Sequence, residues 1–586
     1  MGKSRGFSGS KNPLRGVRRS VGGLALGFTL LLDVGCGTVG WLGGQSRATG
    51  GLESSAIKRD IPVTPGVPKL GQQPRLPRDP GMDGDVSFHL LYTNDIHSRV
   101  DPFPAGYYHN FYAGKGGFAR LTTAIADFKR ANPNTLAVDS GDYLQGTPYF
   151  NFFRGEAELK LMQASGFDAI TIGNHEFDNG VADLARVLPY YRGSLVTTNM
   201  TFEPEVAARY CVKRVGNVRV GIFALITDVN GLVAAPNFKG ARYYDPVLVA
   251  KAAVAKLRKE ADAVVLLSHM GITPPWAEAE PDDDHEVADG QLTDEKLAAR
   301  VPGIDVIVSG HTHVMIKRPI VVKNTTGRTY IVSSGMGGGY LGQATVRMRK
   351  GQVSFVQNDM IPMTASVSAA PAIESMIAPY RDVLSRTIKP VIGEATATFK
   401  RYGNADRESA LNNLIADATL AAARSVKPET AFAVMSSGTP RNPIPQGPIR
   451  IEDVYYALPF DNKVVLMEVT GKQAVEMLGI QRRSSDQKRH AISNCSYTLL
   501  RNAGPIKDVL INGQPVNPDA RYWVAVNDYM ADGASGFTML PGSPRIDTKI
   551  LQRDALIELI KSRKTITPQV GRIRIESQAP VLATAS

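Results

Sequence analysis

From Ser87 onward the chain repeats one pattern: a short apolar run that stops abruptly at polar residues, followed by a stretch of helical character. The runs are FHLLYTND, TLAVDSGD, DAITIGNH, VRVGIFALIT, AVVLLSHMG, DVIVSGHTH and TYIVSSG. Runs this short and this continuously apolar suit strands buried on both faces, with the intervening helical stretches as their cover. The pattern predicts a layered α/β domain over residues 87–364. It excludes a helical bundle, and 56 Gly with 37 Pro also call for frequent turns. Behind Cys36 only Cys211 and Cys495 remain, too few for a disulfide scaffold or a thiolate zinc site, and both are expected as free buried thiols.

A chain of 586 residues exceeds one ordinary domain. A second change of pattern falls at residues 365–395, where Pro371 to Thr387 carries apolar residues at helical spacing and predicts a linker helix. Residues 396–577 combine a long helical pattern at Ser409 to Val426 with the strand-like runs FAVMSS, VVLMEVT, YWVAVNDY and RIRIES, and predict a second α+β domain before a tail at 578–586. At the other end, the apolar run Val21 to Leu32 follows a basic stretch and is shorter than the ~20 residues of a spanning helix. Residues 1–36 are therefore expected to be an export signal, placing the protein in the periplasm or cell envelope. The sequence Asp33-Val34-Gly35-Cys36 resembles a lipoprotein cleavage box, which implies membrane attachment through a lipidated Cys36, although Asp33 stands where Leu is usual. Residues 37–86, rich in Gly, Pro and Ser, are expected to be a flexible spacer. The leader residues Lys3, Arg5, Lys11, Arg15, Arg18 and Arg19 against Asp33 supply five of the twelve net positive charges. The remainder is too dilute for a nucleic-acid polymer as partner.

Five of the nine histidines, His97, His175, His269, His311 and His313, sit where apolar runs end, accompanied by Asp95, Asp142, Asn174 and Asp178. In layered α/β domains the carboxyl ends of parallel strands converge on one crevice, so residues far apart in sequence can share a site. Taken singly, each piece has an ordinary explanation: Asp95-x-His97 can close a turn, Asn174-His175 can be a satisfied polar pair, and Gly310-His311-x-His313 can place its rings on opposite faces of a strand. All of them together, each at a strand end, point to a metal cluster.

The segments TNDIHS, DSGDYLQGTP, GNHEFDNG, SHMG and SGHTH resemble the five metallophosphoesterase motifs of the secreted 5′-nucleotidase family, which also includes UDP-sugar hydrolases and 2′,3′-cyclic-nucleotide phosphodiesterases. The resemblance implies a four-layer metallophosphoesterase sandwich followed by a C-terminal 5′-nucleotidase domain. It further implies two divalent ions, with Zn or Mn expected: Asp95, His97 and His313 on one, Asn174, His269 and His311 on the other, and Asp142 bridging. Two such ions, two carboxylates and a bridging hydroxide leave about one net positive charge to attract a phosphate. His175, oriented by Asp178, matches the family's catalytic histidine that is not a ligand. In the second domain Arg407 and Arg441 match arginines that hold substrate anions, and Phe460 and Tyr529 match two rings that clamp a base.

The expected function is that of an exported phosphohydrolase that releases phosphate from nucleotides by attack of the bridging hydroxide. The rival readings keep the same chemistry on 2′,3′-cyclic nucleotides, nucleotide sugars or general phosphomonoesters, or make the protein a non-catalytic surface lipoprotein that binds a ligand. Two departures from the family pattern predict altered substrate choice. A turn usually rich in glycine reads Ser436-Ser437-Gly438-Thr439-Pro440, and Ser535 replaces an Asp in Gly533-Ala534-Ser535-Gly536.

Overall fold

The computed structural model describes residues 61–79, 84–105, 111–273, 290–325, 327–401, 408–436, 438–480, 490–500 and 506–576. Two six-stranded sheets form the centre of the first domain. In one, Val86–Thr93, Thr135–Asp139, Ala169–Ile170 and Ser194–Leu195 run parallel, with Tyr340–Arg349 and Gln352–Pro362 added antiparallel at one side. In the other, Ala263–His269 lies parallel between Val218–Ile226 and Val306–Ser309, and Gly327–Val332 continues the parallel run. Antiparallel edges are supplied by Cys211–Val215 and Ile320–Asn324.

The alternation of side chains along a strand sends neighbouring residues to opposite faces. Phe88, Leu90 and Tyr92 meet Val265, Leu267, Val306 and Val308 in the layer between the sheets, whereas Leu91 belongs to the outer apolar cluster. Along Ala263–His269, Val265 and Leu267 point inward, and Val264 and Leu266 pack with the helices Pro246–Leu257 and Asp294–Arg300. Helices Phe118–Ala131 and Glu156–Ala164 cover the first sheet in the same way. The result is the layered α/β domain expected from the runs, in the four-layer form that the family resemblance implies: helix, sheet, sheet, helix. Truncating a fully buried residue of the middle layer such as Leu267 to Ala costs ~2–5 kcal/mol.

The linker helix extends over Pro371–Ile388. Its buried stripe, Ile373, Ile377, Leu384 and Ile388, packs into the first domain's outer cluster, while Arg381 bonds Asp101 at 2.5 Å and Tyr380 meets Phe153 edge to face. The helix is therefore docked on the first domain. Beyond it, a five-stranded sheet carries Phe432–Met435, Lys463–Thr470 and Arg521–Asn527 near its middle. Helix Ala410–Val426 packs on this sheet, capped by Ser409 Oγ, which accepts from the Asn412 backbone N–H. Ile573–Glu576 joins a separate four-stranded sheet.

One expectation needs correcting. Part of the segment read as a flexible spacer is packed: Val63–Thr64 pairs in parallel with Tyr243–Tyr244, Ile61 is buried, and Arg219 donates to the Leu76 carbonyl. Gly and Pro conceal the pattern there, yet backbone pairing needs only two residues and the alternation of Ile61 with Val63. Residues 1–60 and the tail at 577–586, including the leader and Cys36, lie outside the described residues. Cys211 and Cys495 are free and buried, as expected. Among the described residues no helix is long and apolar enough to cross a membrane.

Candidate metal centre

Each candidate ligand stands at or just beyond the carboxyl end of a parallel strand. Asp95 and His97 follow Val86–Thr93, Asp142 follows Thr135–Asp139, Asn174 follows Ala169–Ile170, His269 ends its strand, and His311 and His313 follow Val306–Ser309. The backbone must reverse within these few residues, and five of them adopt the left-handed conformation that L-residues avoid: Asp95 (φ 52°), His97 (50°), Asp142 (56°), His311 (81°) and His313 (57°). Such strain persists where surrounding bonds over-determine it. Here Glu176 accepts from the backbone N–H groups of Gly173 (2.5 Å), Asp142 (2.9 Å) and Leu144 (3.0 Å), locking two ligand loops together. Asn94 donates to Asp95 Oδ2 at 2.7 Å and accepts from the Ser334 backbone at 2.8 Å. Asp294 accepts from Ser268 and Ser309, both at 2.5 Å, on the strands that carry His269 and His311.

The side chains form two groups. The ligand atoms of Asp95, His97 and His313 lie within 4.8 Å of one another, as do those of Asp142, His269 and His311. Nε2 of His97 and Nε2 of His313 are 2.9 Å apart, and His269 Nε2 is 3.0 Å from Asp142 Oδ2. Asp95 Oδ1 stands 4.0 Å from His97 Nε2 and 3.8 Å from Nε2 of both His269 and His313, so it faces both groups. Asn174 Oδ1 is 3.0 Å from His311 Nδ1, which brings the last expected ligand to the second group. Gly173 is required beside them, because a Cβ there would lie 2.2 Å from Asp142 Oδ1 and 2.6 Å from His269 Nε2.

The donor set fits divalent cations. His269 Nδ1 donates to the Ser140 carbonyl at 2.8 Å, which fixes the ring and turns Nε2 toward the carboxylates. That Nε2 is fully buried and has Asp142 Oδ2 at 3.0 Å and Asp95 Oδ1 at 3.8 Å before it. Burial pushes Asp95 up to about 7, and it pushes His97 and His311 down to about 3, leaving these imidazoles neutral as ligands require. Burial also opposes charge on His269, but Asp142 and then Asp95 outweigh it and raise the group, so the surroundings call for positive charge at this nitrogen.

His175 occupies a short helical turn with Asp178 three residues on, and its Nδ1 lies 2.9 Å from Asp178 Oδ2. Its ring is 5.3 Å from that of His97. A cavity of about 730 Å³ opens over this group and is closed on its far side by the second domain. There Phe460 stacks on His175 with ring centres 5.9 Å apart and 29° between planes, and Arg441 covers Phe460 at 5.1 Å. The Arg441 charge acts on His97, His175 and Asp178.

Comparison with known proteins identifies the two domains that carry these residues. The family described as calcineurin-like phosphoesterase matches residues 88–315, and that described as 5′-nucleotidase, C-terminal domain, matches residues 391–542. The chain belongs to the two-domain 5′-nucleotidase family. Members of this family are phosphoester hydrolases. A 5′-nucleotidase of Diplobatis ommata is 26% identical, with 83% of this chain and 89% of the relative covered. The crystal structure of a 5′-nucleotidase precursor from Thermus thermophilus superposes with a TM-score of 0.71 at 28% identity, over 84% of this chain and 100% of that one. The endonuclease YhcR of Bacillus subtilis is 28% identical over 76% of this chain, which spans only 37% of that relative's length.

Within this family frame, the expected clamp positions Phe460 and Tyr529 fall in the same cavity. Phe460 and Tyr529 both line it, and the Tyr529 hydroxyl donates to the Gly231 carbonyl of the first domain. Asn151 binds across the same boundary, donating to the Pro459 carbonyl at 2.6 Å. Arg407 lies outside the described residues. Ser535 adopts a left-handed φ of 55° and lies 3.3 Å, Oγ to Oγ, from Ser436; Asp532, which also lines the cavity, is paired with Arg545 at 2.5 Å. Sequence reasoning missed Glu176, Asn94 and Asp294. The first two stand inside the quoted motifs GNHEFD and TNDIHS, whereas Asp294 carries no signal of its own.

Proposed function

We propose that the protein is an exported, metal-dependent phosphohydrolase that releases phosphate from 5′-nucleotides. Asp95, His97 and His313 would hold one divalent ion, Asn174, His269 and His311 the other, and Asp142 would join them. Zn and Mn suit this mixed nitrogen and oxygen set. Such a pair, when bound, supplies Lewis acidity and a nucleophile at neutral pH. The protein's own groups do the rest. Asp178 orients the imidazole of His175 through Nδ1, so that Nε2 is left to hold a proton at the departing ribose oxygen. Burial, the largest influence on His175, acts to lower its pKa, but Asp178 and Asp142 together hold it above the ordinary value, which favours the proton-bearing form. Arg441, with Arg407 beside it in the family pattern, would neutralise phosphate charge, and Phe460 with Tyr529 would stack on the base.

The observation that carries this reading is the meeting of Phe460 and Arg441 from the second domain with His175 from the first across one cavity. A base-stacking surface beside a phosphoryl-transfer site suits nucleotides better than simple phosphomonoesters. Because the linker helix is docked on the first domain, a hinge that closes the two domains over the cavity would fall after Ile388. Ser535 in place of a carboxylate removes a strong acceptor for a ribose diol, which supports relaxed choice among nucleotides. Export by the leader, with Cys36 as the attachment residue, completes the proposal. The test is hydrolysis of AMP, UDP-glucose, 2′,3′-cyclic AMP and an aryl phosphate by the full-length protein with Mn²⁺ or Zn²⁺, read as phosphate from AMP and the aryl phosphate, UMP with glucose 1-phosphate from UDP-glucose, and a nucleoside monophosphate from the cyclic nucleotide. The expected result is the highest kcat/KM on the 5′-nucleotide. A higher value on the cyclic nucleotide or the sugar would transfer the assignment to that class, and no turnover of any of them would end it.

A further inference from the structure

The loop after strand Val218–Ile226 has three partners that no sequence motif connects. Asn237 Nδ2 donates to the Asp178 carbonyl at 2.7 Å, next to the group that orients His175. The Gly231 carbonyl accepts from the Tyr529 hydroxyl. Leu232, Ala234 and Pro236 line the cavity between these two contacts. The third partner is the segment ahead of the first domain. Asn230 Oδ1 accepts from the Ile61 backbone N–H at 2.8 Å, and Asn230 Nδ2 donates to the Ile61 carbonyl at 2.9 Å and to Asp228 Oδ1 at 2.7 Å.

One side-chain amide thus satisfies both backbone groups of a single residue, as a neighbouring strand would. Ile61 is buried in the apolar cluster that also contains Val229, Val233 and Phe238, and Val63–Thr64 is paired with Tyr243–Tyr244, which fixes the segment at a second point. The loop itself has little regular structure, with only the short turn Ala235–Phe238 and a single bridge between Asn230 and Val233. Its height over the cavity therefore depends on what holds it from behind.

We propose that Ile61–Thr64 is a strap that, through Asn230, positions the cavity rim on which Tyr529 docks. Asn230 is a positioning residue: it touches neither the candidate ligands nor the cavity. The segment joining the leader to the enzyme is then a working part of the substrate site, and its effect on nucleotide binding rests on the function proposed above.

The test uses the full-length protein and two variants, Asn230→Ala, which removes the amide, and Ile61→Gly, which removes the apolar anchor from the other side. Each should raise KM for AMP by about fivefold while kcat moves less than about twofold, and the double variant should show less than the summed effect. Amide hydrogen exchange at residues 228–234 and 528–531 should accelerate in both variants. Unchanged exchange at 228–234, or faster exchange with an unchanged KM, overturns the proposal. If the unaltered protein hydrolyses no nucleotide, the nucleotidase reading fails separately. Exchange at 528–531 then decides the strap: acceleration upholds it and no change refutes it.

Discussion

The two walls of the cavity are built differently. On the metal side Asp95 and His269 are fully buried, five candidate ligands hold left-handed backbone, and Glu176, Asn94 and Asp294 tie the loops from behind. On the side proposed to receive the nucleoside, Phe460 and Tyr529 are half-buried, as His97, His311 and His313 are, and Ser535 lies 3.3 Å from Ser436. Chemistry that depends on placing charges within tenths of an ångström sits on rigid, over-determined loops. Recognition of a flat base tolerates looser surroundings, because stacking depends weakly on position and on base identity.

That contrast makes ordered predictions. Asp95→Asn should have the largest effect, since it removes a charge facing both groups. Bound metal should fall in elemental analysis and kcat should drop by at least ~10³. A variant that keeps its metal and activity would break the claim of over-determination. His175→Ala should keep the metal yet lose ~10²–10⁴ in kcat, which separates a proton-handling role from ligation. On the other wall, Phe460→Ala should raise KM for AMP by ~5–100-fold, the equivalent of ~1–3 kcal/mol of stacking, with little change on an aryl phosphate. Ser535→Asp should sharpen the same wall, favouring ribonucleotides over deoxyribonucleotides by about tenfold in kcat/KM.

The smallest effect concerns stability. Glu158 is fully buried, accepts from Ser98 at 2.5 Å behind the His97 turn, and is pushed by burial up to about 7. Its folded-state value lies above the unfolded one, so its contribution is present at low pH and is lost as pH rises through about 7. Glu158→Gln keeps the acceptor without the charge. Its Tm advantage over the unaltered protein should therefore widen by a few degrees from about pH 5 to about pH 8. A constant difference would show that Glu158 does not titrate in this range.

The layered α/β domain and its cluster of candidate ligands were legible because strands buried on both faces leave continuous apolar runs, and because a metal site needs specific side chains at their ends; the four-layer form and the assignment of each ligand came from the family likeness. The linker helix was legible from the apolar spacing over Pro371 to Thr387, but its docking on the first domain was not, since periodicity says which face is apolar and not what covers it. Asp294 escaped notice because it acts through Ser268 and Ser309, a contact made only by folding. The packed strand Val63–Thr64 was hidden by its surroundings of Gly and Pro: two paired residues leave no period to detect. The proposed nucleoside wall rests on family likeness alone, because a lone Phe or Tyr at a strand end has no pattern that separates a clamp from a core residue.

Elemental analysis of the full-length protein, purified with Mn²⁺ or Zn²⁺ and dialysed against metal-free buffer, tests the central claim most directly. The account predicts about two transition-metal ions per chain, with phosphate release lost on chelation and restored on their return. Protein that is folded, exposed to excess ions and yet retains none would contradict it.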